Sequence, residues 1–138
     1  DDGSQPKLKL NIWDASGDNS MHNLAHLYVT NVQVGVSVYS INSKPTFDQL
    51  MDWQKHLKEL NPDCLMVLVG SKSDLQDDRA VSLRFGIEKQ KELGCFMHIE
   101  TSAYNDPDSI QHLFKRISEE IVKRKRFTNG IGSIMATN

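Results

Sequence analysis

Ser71-Lys72-Ser73-Asp74 follows directly on an apolar run, Cys64-Leu65-Met66-Val67-Leu68-Val69, that is closed by Gly70. A lysine stem can lie over the face of a planar ring, and an ionised carboxylate can accept hydrogen bonds from N–H groups at the ring's edge. Held beyond the carboxyl end of a strand, the two can read a flat polar heterocycle, because ligands of open α/β sheets bind there. Two further polar stretches also follow strand-like segments: Asp14-Ala15-Ser16-Gly17 and Thr101-Ser102-Ala103-Tyr104. His22 and His26 have metal-ligand spacing on a helix, but no third ligand stands near them, and a solvated helix face is the simpler reading.

The elements that must position these groups alternate between strand and helix. Lys7 to Trp13 alternates polar and apolar, as a half-buried strand does. Asp1 to Pro6 before it reads as a turn, which implies an antiparallel partner strand ahead of residue 1 and hence an incomplete chain. Val32 to Tyr39 is a second strand and Phe96 to Glu100 a short fourth one. Cys64 to Val69 is continuously apolar, as expected of a central parallel strand buried on both faces.

Between them, Phe47, Leu50, Trp53, Leu57 and Leu60 fall at spacings of three and four, predicting one helix from Thr46 to Leu60. Thr46 with Gln49 has the form of a capping box, and Asn61-Pro62 stops the helix. Asp106-Pro107 opens another, with Ile110, Leu113, Phe114, Ile117 and Ile121 as its buried stripe. It ends in Lys123-Arg124-Lys125-Arg126, cations that suit a helix carboxyl end and are most simply solvated. Segments 20–31 and 82–93 are weaker helices, the second interrupted by Gly86. The predicted architecture is a mostly parallel α/β sheet with helices on both faces. It has one domain over 1–126, and 127–138 is expected to be a flexible tail. Strand ends that precede helices then share one sheet edge, so the three polar stretches converge.

A chain of 138 residues carrying 16 basic and 18 acidic side chains has the size of one domain and no excess of positive charge with which to hold nucleic acid unspecifically. Cys64 and Cys95 each open an apolar run and read as buried, reduced thiols of a cytoplasmic protein. No apolar stretch reaches membrane-spanning length, and Met135-Ala136-Thr137-Asn138 offers no cysteine for prenylation. Contact with a membrane is therefore expected only at its periphery, through partners.

Ser71-Lys72-Ser73-Asp74 resembles the Asn/Thr-Lys-x-Asp guanine-specificity motif of Ras-type small GTPases. Trp13-Asp14-Ala15-Ser16-Gly17 is similar to the Trp-Asp-Thr-Ala-Gly segment that opens switch II in Rab and Ras proteins, and Glu100-Thr101-Ser102-Ala103 to their Glu-Thr-Ser-Ala segment. Tyr39-Ser40-Ile41-Asn42, Thr46-Phe47 and Trp53 follow the Rab pattern too, so the likeness runs in order from residue 7 to about 125. It implies a P-loop small-GTPase fold lacking its first strand, phosphate loop and switch I. It implies guanine contacts by Ser71, Lys72, Asp74, Ser102, Ala103 and Tyr104. Asp14, through water, would help hold Mg²⁺, and the Gly17 N–H would sense the terminal phosphate. The implied cofactors are GTP or GDP with Mg²⁺. The implied partners are effectors and regulators meeting switch II, about Asp14 to Asn31, in vesicle or ciliary transport. The chain would be a monomer or a subunit of a complex.

Departures from the pattern bear on turnover. No Gly-x-x-x-x-Gly-Lys-Ser/Thr occurs, so triphosphate charge has little to neutralise it and weak or no GTP binding is expected. Asp18 stands where the family carries its water-orienting glutamine, and Asn19 replaces the usual glutamate. Ser71 replaces an asparagine that braces neighbouring loops, and Tyr104 replaces a loop lysine. Weak or absent hydrolysis follows, and the alternative is a nucleotide-free pseudo-GTPase serving as an interaction module.

Overall fold

In the computed structural model, residues 8–15, 29–124 and 131–137 are described. The elements run β1 (Lys9–Ala15), β2 (Val34–Ser40), α1 (Lys44–Asp48), α2 (Leu50–Leu60) and β3 (Leu65–Ser71), then α3 (Leu83–Leu93), β4 (Met97–Glu100), α4 (Pro107–Arg124) and β5 (Ile131–Thr137). The strands form one sheet in the order β1-β5-β2-β3-β4, and every pairing is parallel. Their carboxyl ends therefore lie along a single edge, the one reached by Asp14, Ser71 and Glu100.

The apolar run before Gly70 makes an interior strand of this sheet, between β2 and β4, because both its faces can be covered. Met66 and Leu68 pack on one side with Tyr39, Phe47, Leu50 and Leu57. Leu65, Val67 and Val69 pack on the other with Val34, Val36, Leu113, Ile117 and Ile121. Helices α1 and α2 thus cover one face and α4 the other, as the alternation of strands and helices predicts. The buried stripe of α4 narrows to Leu113, Ile117 and Ile121, with Ile110 and Phe114 half-buried. Trp13 and Ile12 are 44% and 51% exposed, against the strict alternation read in the sequence; among the described residues β1 pairs only with β5.

Three other expectations are corrected. The helix predicted over 46–60 is two, α1 and α2, separated at Gln49. Thr46 does not cap it: its hydroxyl accepts from the Ser40 N–H at 2.9 Å and donates to the Ser43 carbonyl at 2.7 Å, so it is engaged outside a capping box. The tail expected to be flexible beyond 127 supplies β5 over 131–137, in the slot between β1 and β2. Ile134 is fully buried and Met135 nearly so, and they enter opposite faces of the core, which anchors the strand against fraying. The helix read over 20–31 lies, apart from residues 29–31, outside the described residues, as do His22 and His26.

Helix α3 is well ended for a segment that reads weakly. Ser82 caps it, its Oγ accepting from the Phe85 N–H at 3.2 Å, and Gly94 closes it in the left-handed conformation at φ 66°. Gly86, the interruption, is a packing requirement. A Cβ there would stand 2.6 Å from both the His98 ring and the Tyr39 hydroxyl.

Candidate functional site

At the carboxyl edge, the chain leaves β3 through Lys72, whose backbone φ is 61°. A non-glycine residue in that region costs about 1 kcal/mol, so neighbouring contacts must hold it. They do. The Ser73 N–H donates to the Thr101 carbonyl at 3.0 Å, the Leu75 N–H to the Lys72 carbonyl at 3.0 Å, and the Thr101 N–H to the Gly70 carbonyl at 2.8 Å. The loops after β3 and β4 are thereby tied together by backbone alone.

Ser102, fully buried, connects their side chains. Its hydroxyl donates to Asp74 Oδ1 at 2.6 Å and accepts from the Asn105 N–H at 3.2 Å. Its own N–H donates to Ser109 Oγ at 3.1 Å, and its carbonyl accepts from the Asp106 N–H at 3.2 Å. A bond from Ser102 to one carboxylate oxygen fixes the Asp74 side chain. A cleft of about 390 Å³ opens here, lined by Lys72, Asp74, Leu75, Ala103, Tyr104 and Ile110, with Ser71 and Thr101 also on its wall. Tyr104 is 89% exposed. Ser71 sends its hydroxyl to the Tyr39 carbonyl at 2.9 Å, tying β3 to β2.

Sequence reasoning did not reveal the charged clamp behind this edge. Arg79 donates to both carboxylate oxygens of Glu100, at 2.7 and 2.8 Å, and to the Val81 carbonyl at 3.0 Å. The two side chains are 20% and 15% exposed. Bonding to Glu100 raises the guanidinium pKa, so Arg79 keeps its charge. Beneath it, the Tyr39 hydroxyl and His98 Nε2 are 2.9 Å apart. Burial, reinforced by the Glu100 carboxylate, pushes the Tyr39 phenol far up, and burial holds the His98 imidazole below its ordinary value. The available signal was small: two charged residues, Arg79 and Glu100, flanking buried segments.

The edge thus gathers Ser71, Lys72, Asp74, Ser102, Ala103 and Tyr104. Asp14 ends β1 on the same edge, with β5, β2 and their width between it and the cleft. Gly17, Asp18 and Asn19 lie outside the described residues. Among the described residues no group of three His, Cys, Asp or Glu side chains could hold a metal ion. No described helix is long and apolar enough to cross a membrane.

A parallel α/β domain with a cleft at its carboxyl edge, carrying a lysine and a braced aspartate, has the architecture of the open-sheet class, whose ligands bind at that edge. The Ras family profile matches residues 2–123, and the chain belongs to that family, on the Rab-like side of the small GTPases. It is 37% identical over 123 residues to Ras-related protein Rab-31 of Rattus norvegicus, covering 88% of this chain and 62% of that protein. To Ras-related protein RABC1 of Arabidopsis thaliana it is 39% identical over 102 residues, 72% of this chain and 48% of the relative. To GTP-binding protein ypt4 of Schizosaccharomyces pombe it is 31% identical over 121 residues, 87% and 51% of the two chains. The chain therefore spans about half to three fifths of these relatives' length.

Proposed function

We propose that the cleft recognises the guanine ring of GTP and GDP, and that the domain is the base-reading part of a Rab-like molecular switch. The observation that carries this reading is Asp74, oriented by buried Ser102 on the wall of a cleft that also carries Lys72 and Ala103. Asp74 accepts from the ring's N1 and N2 hydrogens, the Ala103 N–H donates to O6, and the Lys72 stem covers the ring. Adenine lacks that donor pair and leaves the carboxylate unmet, at a cost of about 2–3 kcal/mol.

Phosphate and metal are another matter. Among the described residues Lys72 is the one cation on the cleft wall and no group of three His, Cys, Asp or Glu side chains could hold a metal ion, so no hydrolytic step is assigned to them. Asp18 at the water-orienting position supports slow turnover and a long-lived GTP state. Exposed Trp13 and Ile12, at the head of switch II, support recruitment of effectors and regulators in vesicle or ciliary transport. The place of action is cytoplasmic, peripheral to membranes through those partners.

A second reading, a nucleotide-free interaction module, draws support from Ser71. Its hydroxyl is spent on the Tyr39 carbonyl, where the family asparagine braces loops. The two readings separate in one titration of the ¹⁵N-labelled full-length protein with GDP and with ADP. The switch reading expects amide shifts at 72–74 and 102–104 with GDP and much smaller ones with ADP. No response to GDP sinks it and leaves the module. On a full-length protein, phosphate release at ordinary Rab rates would overturn the slow-turnover assignment.

A further inference from the structure

The buried Tyr39 hydroxyl sits beneath the two loops that wall the cleft, in a space that two glycines leave open. A Cβ at Gly70, the residue before Ser71 and Lys72, would stand 2.8 Å from that hydroxyl and 3.2 Å from Cγ of Glu100, the residue before Thr101. A Cβ at Gly86 would crowd the same hydroxyl and the His98 ring. The hydroxyl's partner is His98 Nε2, and the two rings lie 9° from parallel with centroids 6.1 Å apart. His98 is off the cleft wall, yet one phenol sets it against the ends of both strands that lead there. On β4 itself Glu100 follows two residues on, in its two-bond clamp with Arg79, and its carboxylate favours the protonated forms of His98 and Tyr39 alike. From β3 the neighbour of His98 in register is Leu68, and from α3 the close approach is Gly86. Lys89 and Glu92 of α3 pair with each other at 2.7 Å, and Lys89 lies over Phe47.

We infer that His98 is a positioning residue for the cleft, holding the ends of β3 and β4 in register through the Tyr39 hydroxyl and releasing them when it takes up a proton. The inference rests on the base-reading function proposed above. Neutral imidazole accepts the phenol proton at Nε2. Imidazolium carries a proton on that nitrogen and has to donate it, so the phenol proton turns to the Glu100 carboxylate, whose two oxygens already receive Arg79. The added donor draws the carboxylate from Arg79 and loosens the loop over 101–104, which carries Ser102 and Ala103.

The test follows GMP and AMP binding by the full-length protein from about pH 8 to about pH 5, together with the His98 Cε1–H resonance. Acidification should weaken GMP about fivefold or more in the parent. Linkage makes the effect reciprocal: saturation with GMP should lower the His98 pKa by the logarithm of the same factor, a shift that loop integrity alone does not produce. His98→Gln keeps a group that accepts from the phenol, so it should match the parent in mild alkali and lose the excess fall in acid. Titration of the nucleotide phosphate is common to both proteins and cancels. Tyr39→Phe should flatten the profile in the same way. Preferential GMP binding with an unchanged profile in His98→Gln, or a His98 pKa unmoved by GMP, overturns the positioning role and leaves base reading standing. Equal binding of GMP and AMP at the alkaline end, or binding of neither, overturns base reading and the positioning role with it.

Discussion

On the face of the sheet covered by α4 the interior is aliphatic, built from Val34, Val36, Val67, Leu113, Ile117, Ile121 and Ile134. On the face covered by α1 and α2 the apolar cluster holds Tyr39 and both cysteines, with buried Gln54 donating to Cys95 Sγ at 2.9 Å and His98 against the Tyr39 hydroxyl. Both faces exclude water and both reach the cleft, the first through Ile110 of α4 and the second through polar contacts. Tyr39 receives the Ser71 hydroxyl through its carbonyl, and His98 leads in two residues to Glu100 and its clamp on Arg79. The difference teaches that the two faces serve different ends. Aliphatic packing supplies stability without caring about direction, whereas satisfied polar contacts fix distances and so hold loops in register.

Substitutions on each face can break that contrast. Ile117 is fully buried, so Ile117→Ala should lose about 3 kcal/mol in urea unfolding while the preference for GMP over AMP persists. Loss of that preference in a folded variant would erase the distinction between the faces. Arg79→Ala should cost less, about 2 kcal/mol, because it strands a carboxylate that keeps some exposure. It should also speed amide exchange at 101–104, which Ile117→Ala should not do locally. Stability lost with exchange unchanged would reduce the clamp to packing.

The smallest effect concerns His98. Its folded pKa lies below the ordinary 6.5, with burial as the main cause and the Glu100 carboxylate opposing it. The unfolded chain therefore binds the proton more readily, and the contribution to stability is complete above about 6.5 and is lost as pH falls through the folded value. Thermal unfolding should fall with acidification over that window, less steeply in His98→Gln. An identical slope in the two proteins would remove His98 from the network's energetics.

These contrasts also show what a linear sequence can carry. Strand β3 is legible because an unbroken apolar run has few alternatives, and α4 because Leu113, Ile117 and Ile121 recur at helical spacing. The loops after β3 and β4 are legible as motifs, since their chemistry needs particular residues close in sequence. The division of 44–60 into two helices is not, because it accompanies a Thr46 hydroxyl shared between Ser40 and Ser43. Arg79 and Glu100 meet only when the loop after β3 folds against the end of β4, so neither periodicity nor propensity announces them. Gly86 reads as a poor helix residue until the Tyr39 and His98 rings are placed against it.

The placement of β5 has a bearing on how the molecule assembles. Lys9 lies opposite Ile131, and β1 meets β2 only through this strand among the described elements. The β1 side of the sheet thus joins segments far apart in the sequence, the kind of contact that closes slowly. On a ribosome β2, β3 and β4 can pair as they emerge, whereas the β1–β5 pairing must wait for residues 131–137. Until then β1, with its exposed Ile12 and Trp13, lacks the β5 side of its pairing, a window in which chaperones or aggregation can compete.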